Sequence, residues 1–243
     1  MRSDRQDDVP GPANGNLDVW VIVPTYNEAP VVREVLVNLR RLFPNVVAVD
    51  DGSSDSSDAE ILASGSRLVR HAINLGAGAA MQTGIEFALL DREARYFVSF
   101  DADGQHRAED AAAMVERLRT GEHDILIGSR FLGATSGLSG GRKYLLKAAR
   151  VFEWMTSGVR LTDAHNGLRA FSRAFAEQID LTFADMAHAS ELLEQIGKSK
   201  LRYAEHPVTI DYTDYSRAKG QRSINSVNIA VDVWLNHLLR GRR

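Results

Sequence analysis

Short runs of apolar residues alternate along the first half of the chain with segments whose apolar residues recur every three or four positions. The first run, VWVIVP at 19–24, is rich in β-branched residues and predicts a buried strand. Between 31 and 39 the apolar residues recur at helical spacing. The same alternation predicts strands at 45–51, 67–72, 96–100 and 124–130, and helices within 52–65, at 77–90 and at 109–119.

This alternation predicts an α/β fold, with a Rossmann-like, mainly parallel sheet covered by helices on both faces. The second half is less regular, and its pattern predicts helices at 143–158, 187–197 and 224–239, a strand at 166–172 and an extended segment at 202–212. The main domain is expected to span 17–222. A polar, disordered tail at 1–16 precedes it, and an amphipathic helix at 223–243 follows it.

Composition narrows the class of protein. The 243 residues are 44% hydrophobic and 25% charged, which is typical of a globular chain. The net charge of −3 gives no reason to expect nucleic acid as a partner. The absence of cysteine excludes disulfides and thiolate metal sites, and it fits a reducing cytoplasm. No apolar run reaches the roughly 18 residues of a membrane span.

Polar residues follow directly after four of the predicted strands. These stretches are PTYNE at 24–28, DDGS at 50–53, DAD at 101–103 and GSR at 128–130. The carboxyl ends of parallel strands meet at one edge of a sheet, and ligands of such sheets bind outside that edge. The sequence therefore predicts a binding site there.

Asp101 and Asp103 are the strongest metal candidates. Two carboxylates this close repel each other unless a cation lies between them. Their hard oxygens suit Mg²⁺ or Mn²⁺, which would bridge a diphosphate and stabilise it as a leaving group, and Gln105 can add a third oxygen. An isolated Asp-X-Asp is also common in exposed turns, so the interpretation depends on the neighbouring motifs.

Other edge residues are candidates for binding a nucleoside. Glu28 or Asp51 can accept hydrogen bonds from ribose hydroxyls or a base N–H, and Pro24 or Tyr26 can pack against a base. The alternative for DDGSSD is an acid-rich turn with a helix N-cap. Gly76, in NLGAG, either permits close packing of a helix on the sheet or lets a ligand approach the backbone. NLGAG fits neither the P-loop nor the Gly-X-Gly-X-X-Gly pattern.

Basic residues of the second half can hold phosphates, arginine through bidentate contacts. The candidates are Arg130, Arg142, Arg217, Lys219 and Arg222. Each of them alone is more simply a solvated surface charge.

Taken in order, six motifs resemble the family 2 glycosyltransferases of the GT-A fold. They are VIVPTYNE, VDDGSSD, NLGAGAAMQTGI, FDADGQH, GSRF and DAHNGLRAF. Within that family they are most similar to the polyprenyl-phosphate, dolichol-phosphate mannose synthase-like branch, over about residues 19–222. The resemblance implies an inverting sugar transfer from a UDP- or GDP-linked sugar, with Mn²⁺ or Mg²⁺ as the metal.

The resemblance also implies roles for individual residues. The residues expected to frame the nucleoside are Pro24, Tyr26, Glu28 and Asp51. The DAD motif, including Ala102, would contact the diphosphate, and the metal would be held by Asp101, Asp103 and Gln105. Arg130 falls near the phosphates, while Arg217 and Arg222 fall in a segment that closes over the site.

The acceptor is suggested by a missing motif. A hydroxyl acceptor needs a general base, whereas a phosphate acceptor is already anionic and needs only cationic positioning. Relatives that glycosylate hydroxyls carry a Glu-Asp pair ahead of the late helix, and MAHASELLEQ lacks it. Asp163 and Glu191 are the candidate bases, with a turn cap and a helix-face charge as their structural alternatives. A polyprenyl phosphate is favoured over a saccharide hydroxyl in cell-surface polysaccharide synthesis.

The sequence allows more than one placement of the terminal helix and more than one functional class. With its trailing arginines the helix can lie on the anionic inner face of a membrane, as a peripheral attachment, or it can pack on the domain or in a homodimer. A strand followed by Asp-X-Asp-Gly also introduces haloacid dehalogenase-like phosphatases, although those place the motif nearer the N-terminus. A nucleotide-sugar-binding subunit without activity is the non-enzymatic alternative.

Overall fold

The computed structural model describes residues 15–132, 158–164, 166–182, 187–212 and 215. The strands are β1 Val19–Thr25, β2 Asn45–Asp50, β3 Arg67–Arg70, β4 Tyr96–Ser99, β5 Ile125–Ser129, β6 Arg169–Ser172 and β7 Tyr203–Pro207. The helices are α1 Val32–Leu42, α2 Ser57–Ala63, α3 Ala77–Leu89, α4 Ala108–Arg119, α5 Arg173–Ala176 and α6 Ala187–Lys198.

Several expectations fall outside the described residues. They are the tail up to residue 14, most of the predicted helix at 143–158, the helix at 224–239 and the domain boundary at 222. The chain divides into one compact unit at 1–210 and a second at 211–243. Within the described residues no helix combines the length and the apolar character needed to cross a membrane.

The seven strands form one sheet in the order β3-β2-β1-β4-β6-β5-β7. Strands β1 to β4 pair in parallel, as do β5 and β7, whereas β6 is antiparallel to both of its neighbours. The predicted mainly parallel α/β sheet is confirmed. The reversal at β6 and the short helix α5 were not predicted.

Helices cover both faces of the sheet, as the apolar pattern predicts. One core cluster joins α1 and α4 to the face that includes Val21 and Val23. The other joins α3, α5 and α6 to the opposite face, which includes Ile22 and Phe97. The central strand β1 is buried on both sides, so its residues read as a continuous apolar run without alternation.

The strand order brings distant parts of the chain to one edge. The parallel strands β1, β2 and β4 end there, followed by residues 26–28, 51–55 and 100–106. Because β6 runs the other way, it starts at that same edge, and it carries residues 162–168 there. The reversal therefore places the DAHNGLRAF motif beside the DAD motif.

Gly84 allows α3 to lie close to the sheet. A Cβ atom at this position would be 2.3 Å from Cγ2 of Ile22 on β1. We expect Gly84→Ala to lower the free energy of unfolding by roughly 1–3 kcal/mol, because overpacking outweighs the gain in helix propensity. Urea unfolding measures the change. In an Ile22→Ala background the added methyl has room, so an equal loss there would contradict the packing explanation.

His206 on β7 is expected to make the stability of the fold sensitive to acid. Burial, reinforced by the charge of Arg117, lowers the pKa of His206, and Asp110 only partly offsets this. The unfolded chain then binds the proton more readily, so stability should fall as the pH drops below about 6.5. Urea midpoints between pH 8 and 5 test this expectation. His206→Gln should flatten the profile, and an unchanged profile would show that this histidine does not cause the loss.

Candidate active site

The acid pair lies in the turn that follows β4. The half-exposed Asp101 carboxylate accepts a hydrogen bond from Nε2 of His106 at 3.1 Å, and the His106 ring packs edge-on against Phe100. The Asp103 carboxylate accepts two bonds from Gln105, at 3.0 Å from the backbone N–H and at 2.8 Å from the side-chain amide. The structure thus brings the three predicted metal ligands together.

Gly167, in the DAHNGLRAF motif, makes room for Asp101. A Cβ atom at Gly167 would lie 2.0 Å from Oδ2 and 2.3 Å from Oδ1 of Asp101. The Ser99 hydroxyl donates to the Gly167 carbonyl at 2.8 Å and holds the segment against the end of β4. The position of the first acid therefore depends on a glycine 66 residues further along the chain.

The two acids have pKa values shifted in opposite directions. Protein atoms displace part of the water around the half-exposed Asp101 and act to raise its pKa, but the hydrogen bond from His106 and the charges of His106, Arg169 and His188 outweigh this and lower that pKa. Burial and the negative charge of Asp101 raise the pKa of Asp103. Two anions held this close without a cation are mutually unfavourable, and a divalent ion would relieve the repulsion.

The donor set fits such an ion only if a substrate supplies further oxygens. Within the described ranges no three acidic, histidine or cysteine side chains are grouped so as to hold a metal by themselves. Two carboxylates plus an amide oxygen suit Mg²⁺ or Mn²⁺, which commonly complete their coordination with water and substrate phosphates. The pair of carboxylates is therefore a candidate metal site that would need substrate oxygens to complete it.

Arg130 and Asp163 form an ion pair in the same region. Oδ2 of Asp163 accepts hydrogen bonds from Nε of Arg130 at 2.7 Å and from its backbone N–H at 3.1 Å. The Asn166 side chain adds a third, at 3.3 Å. Asp163 is 5% exposed, whereas the guanidinium of Arg130 is partly open to solvent. The geometry makes Asp163 the group that orients Arg130.

Arg169 lies beside the candidate site, although its sequence position did not predict this. It is the first residue of β6, is only 3% exposed, and lies within electrostatic reach of Asp101 and Asp163. Burial lowers its pKa while the two carboxylates act to raise it, and arginine stays protonated throughout. The signal was an arginine inside the apolar stretch LRAF, since arginine is rarely buried without anionic neighbours. His188, whose charge also reaches Asp101, was missed as well.

The nucleoside candidates lie at the ends of β1 and β2. Tyr26 is 45% exposed at this edge, whereas Glu28 is buried and its negative charge contributes to the raised pKa of Asp103. Backbone N–H groups of the 26–29 turn are held by side chains of the 53–57 turn. Pro24 lies within β1, opposite Val49 of β2. Glu28 therefore lies within electrostatic reach of Asp103, while Pro24 and Tyr26 lie at the end of the neighbouring strand β1.

Asp51 and Gly76 contact each other directly. The Asp51 carboxylate accepts bonds from the backbone N–H groups of Leu75 at 2.8 Å and Gly76 at 2.7 Å, and it pairs with Nδ1 of His71 at 2.7 Å. Asp51 is only 2% exposed. Its carboxylate therefore organises the loop before α3.

Glu191 bonds to the segment ahead of α6. Its carboxylate accepts hydrogen bonds from the backbone N–H of Thr182 at 3.0 and 3.1 Å, and from the Thr182 hydroxyl at 2.6 Å. These contacts tie α6 to the segment ahead of it. The cationic candidates Arg142, Arg217, Lys219 and Arg222 lie outside the described residues.

The fold matches that of solved glycosyltransferases. Glucosyl-3-phosphoglycerate synthase from Mycobacterium tuberculosis, solved with Mn²⁺, UDP and glucosyl-3-phosphoglycerate, aligns with a TM-score of 0.61. The alignment covers 82% of this chain and 73% of that one, at 19% identity, so the likeness concerns the fold. The architecture is that of the GT-A glycosyltransferases, as the resemblance implied.

Sequence comparison then identifies the family. Residues 20–180 match the profile described as Glycosyl transferase family 2. The chain belongs to this family and is a glycosyltransferase, and the match selects this class over the phosphatase alternative.

Two named relatives come from the branch that the motifs indicated. The UDP-N-acetylglucosamine-dolichyl-phosphate N-acetylglucosaminyltransferase of Methanococcus voltae is 28% identical over 83% of this chain and 89% of its own length. The polyprenol monophosphomannose synthase of Mycolicibacterium smegmatis is 33% identical over 68% of this chain and 65% of its own length.

Proposed function

We propose that the protein transfers a hexosyl group from a UDP- or GDP-linked sugar to a polyprenyl phosphate, with inversion at the anomeric carbon and with Mn²⁺ or Mg²⁺ bound. The names of the relatives support a lipid-phosphate acceptor, and the Mn²⁺ and UDP in the solved structure support the donor side. The transfer assay described below distinguishes the nucleotide and the sugar, with Mn²⁺ supplied as the metal.

The choice of a phosphate acceptor rests on the contacts that the two candidate bases, Asp163 and Glu191, already make. Asp163 is ion-paired with Arg130, and Glu191 is bonded to Thr182. A general base needs an oxygen free to take a proton from the acceptor hydroxyl, within about 3 Å of it. Asp163 is 5% exposed and would weaken its ion pair with Arg130 on taking a proton, and both oxygens of Glu191 accept bonds from Thr182. Both suit that task poorly, whereas an anionic acceptor needs no base.

The residues present suggest how the transfer would proceed. Asp101, Asp103 and Gln105 would hold the divalent ion, which when bound neutralises charge on the departing diphosphate. Arg130, aimed by Asp163, would contact phosphate oxygens. An acceptor phosphate oxygen would bond to the anomeric carbon from the face opposite the leaving group. The bond from that carbon to the diphosphate oxygen would break, and no proton would move.

The nucleoside would lie over the ends of β1 and β2. We assign Pro24, Tyr26 and Glu28 to its walls, and Asp51 to an indirect role through the loop at Gly76 that it bonds. Ala102 is 4% exposed and belongs to the core cluster of α1 and α4, so it would contact the diphosphate through its backbone. The closing roles of Arg217 and Arg222, membrane attachment, a homodimer and a cytoplasmic location stay predictions from the sequence.

The test is a transfer assay with the full chain. Radiolabelled UDP- and GDP-sugars are incubated with Mn²⁺ and undecaprenyl phosphate in detergent, and labelled lipid and nucleoside diphosphate are quantified. Undecaprenol, which has the same chain without the phosphate, is the matched control and should stay unlabelled. Label that enters a saccharide acceptor but not the lipid phosphate would refute the proposed acceptor and favour the saccharide alternative.

A further inference from the structure

Glu205, on the edge strand β7, belongs to none of the motifs that carry the family resemblance. One oxygen of its carboxylate, Oε1, accepts three hydrogen bonds from the segment that carries Asp163. The donors are the backbone N–H of Thr162 at 2.7 Å, the Thr162 hydroxyl at 2.7 Å and the backbone N–H of Asp163 at 3.0 Å. A single half-buried carboxylate thus organises the turn that orients Arg130.

Each hydroxyl in this network has a fixed role as donor or acceptor. An ionised carboxylate can only accept hydrogen bonds, so the Thr162 hydroxyl must donate its one hydrogen to Glu205. Ser129 lies 2.6 Å from the same hydroxyl and must therefore be the donor in that pair. The Ser129 oxygen in turn accepts from the backbone N–H of Phe131 at 3.3 Å. The chain of bonds runs from Phe131 through Ser129 and Thr162 to Glu205.

This chain of hydrogen bonds fixes the residues before and after Arg130 and, through Asp163, the Arg130 side chain. The residues before and after Arg130 are both tied to Thr162 or its partner Ser129, and the Arg130 side chain is held by Asp163, whose own backbone N–H bonds to Glu205. Register supports the arrangement, because Ile127 of β5 pairs with Glu205 of β7 two residues before Ser129.

We propose that Glu205 is a positioning residue for sugar transfer, which acts through Thr162 and Asp163 to fix the direction of the Arg130 guanidinium toward the diphosphate. This inference rests on the proposed function for the role of Arg130. The orientation of Arg130 itself can be measured without any substrate.

The substrate-free measurement is the NMR signal of the Arg130 Nε–H group, assigned by its loss in Arg130→Lys. Bonded to a buried carboxylate, this proton should exchange slowly with solvent. Glu205→Ala should shift the signal and speed its exchange, whereas Glu205→Gln keeps an acceptor oxygen and should preserve most of it. Thr162→Val removes the hydroxyl link at constant shape and should give a smaller shift. An Arg130 signal identical to wild type in both Glu205→Ala and Thr162→Val would overturn the proposal.

The activity measurement is a double-mutant cycle. Glu205→Ala should lower kcat/KM by up to about 10²-fold, which is the scale of a small misplacement in an active site. In an Arg130→Ala background the same change should have almost no further effect, since it acts through the missing side chain. Equal losses in both backgrounds would indicate a general structural role and contradict the proposal.

The control and the remaining outcomes separate the two proposals. Glu194→Ala removes the same charge from an exposed pair with Lys198 and should match wild type in both assays. A displaced Arg130 signal with no transfer by wild type from either nucleotide sugar would refute the proposed function and leave the positioning role supported. A displaced signal with undiminished transfer by Glu205→Ala would show that Arg130 needs no positioning, and would refute the inference alone.

Discussion

Replacing Gly167 with alanine should abolish the metal-dependent activity while the chain stays folded. The added methyl would lie 2.0 Å from the Asp101 carboxylate, so that carboxylate must leave its position and its bond to His106. Displacing a metal ligand by an ångström or more should reduce turnover by at least about 10²-fold. Calorimetric titration of Mn²⁺ in the presence of UDP or GDP should show weakened binding.

The matched control for this change is Gly15→Ala, where the added Cβ meets no atom within 4 Å. It should bind Mn²⁺ and turn over like wild type. The Gly167 backbone is outside the left-handed region, so strain from a side chain there does not explain a loss. Gly167→Ala with wild-type metal affinity and turnover would show that Asp101 does not need this position.

Asp103→Asn should separate activity from stability. The substitution removes a metal ligand worth several kcal/mol of charge stabilisation on the leaving group, so turnover should fall by about 10²–10⁴-fold. Asp103→Ala should be equally inactive and stay folded, because the Asp103 side chain bonds to Gln105 of its own turn and is not among the core residues. Chelation with EDTA should inactivate wild type, and added Mn²⁺ should restore it.

In the absence of metal, Asp103→Asn should not lower the stability of the protein, in contrast to its effect on activity. The folded protein raises the pKa of Asp103 above its ordinary value of 3.8, so the unfolded chain releases this proton more readily. Stability is therefore lost as the pH rises above about 3.8, and ionisation of Asp103 costs stability at neutral pH. Asp103→Asn removes that cost, and the melting temperature without metal should hold or rise. Addition of Mn²⁺ with UDP or GDP should raise the melting temperature of wild type but not of the variant.

Asp180→Asn, at an exposed aspartate, is the control and should respond to Mn²⁺ like wild type. A variant at Asp103 that keeps its activity, or that gains the same thermal shift from Mn²⁺ and nucleotide, would count against the metal site.

The sequence by itself determined the fold class and indicated the sheet edge that carries the candidate site. The apolar runs and the helical spacing specified the strands and helices of the first half, because burial on a sheet is a local property of each segment. The polar residues at the ends of β1, β2 and β4 marked the edge, because parallel strands must end on the same side. Asp101, Asp103 and Gln105 were identified in this way, since they lie within one turn.

Only the tertiary structure decided how distant residues meet at that edge. The reversal of β6 brings Gly167 against Asp101 and buries Arg169 near two carboxylates. The direction of a strand within a sheet cannot be predicted from its local sequence pattern. Asp163 was a candidate base by residue type, and its pairing with Arg130 across 33 positions gives it an orienting role. The pairing of β7 with β5 places Glu205 beside the segment that carries Thr162 and Asp163. Such contacts depend on strand order, which is set by the packing of the whole core and not by any one segment.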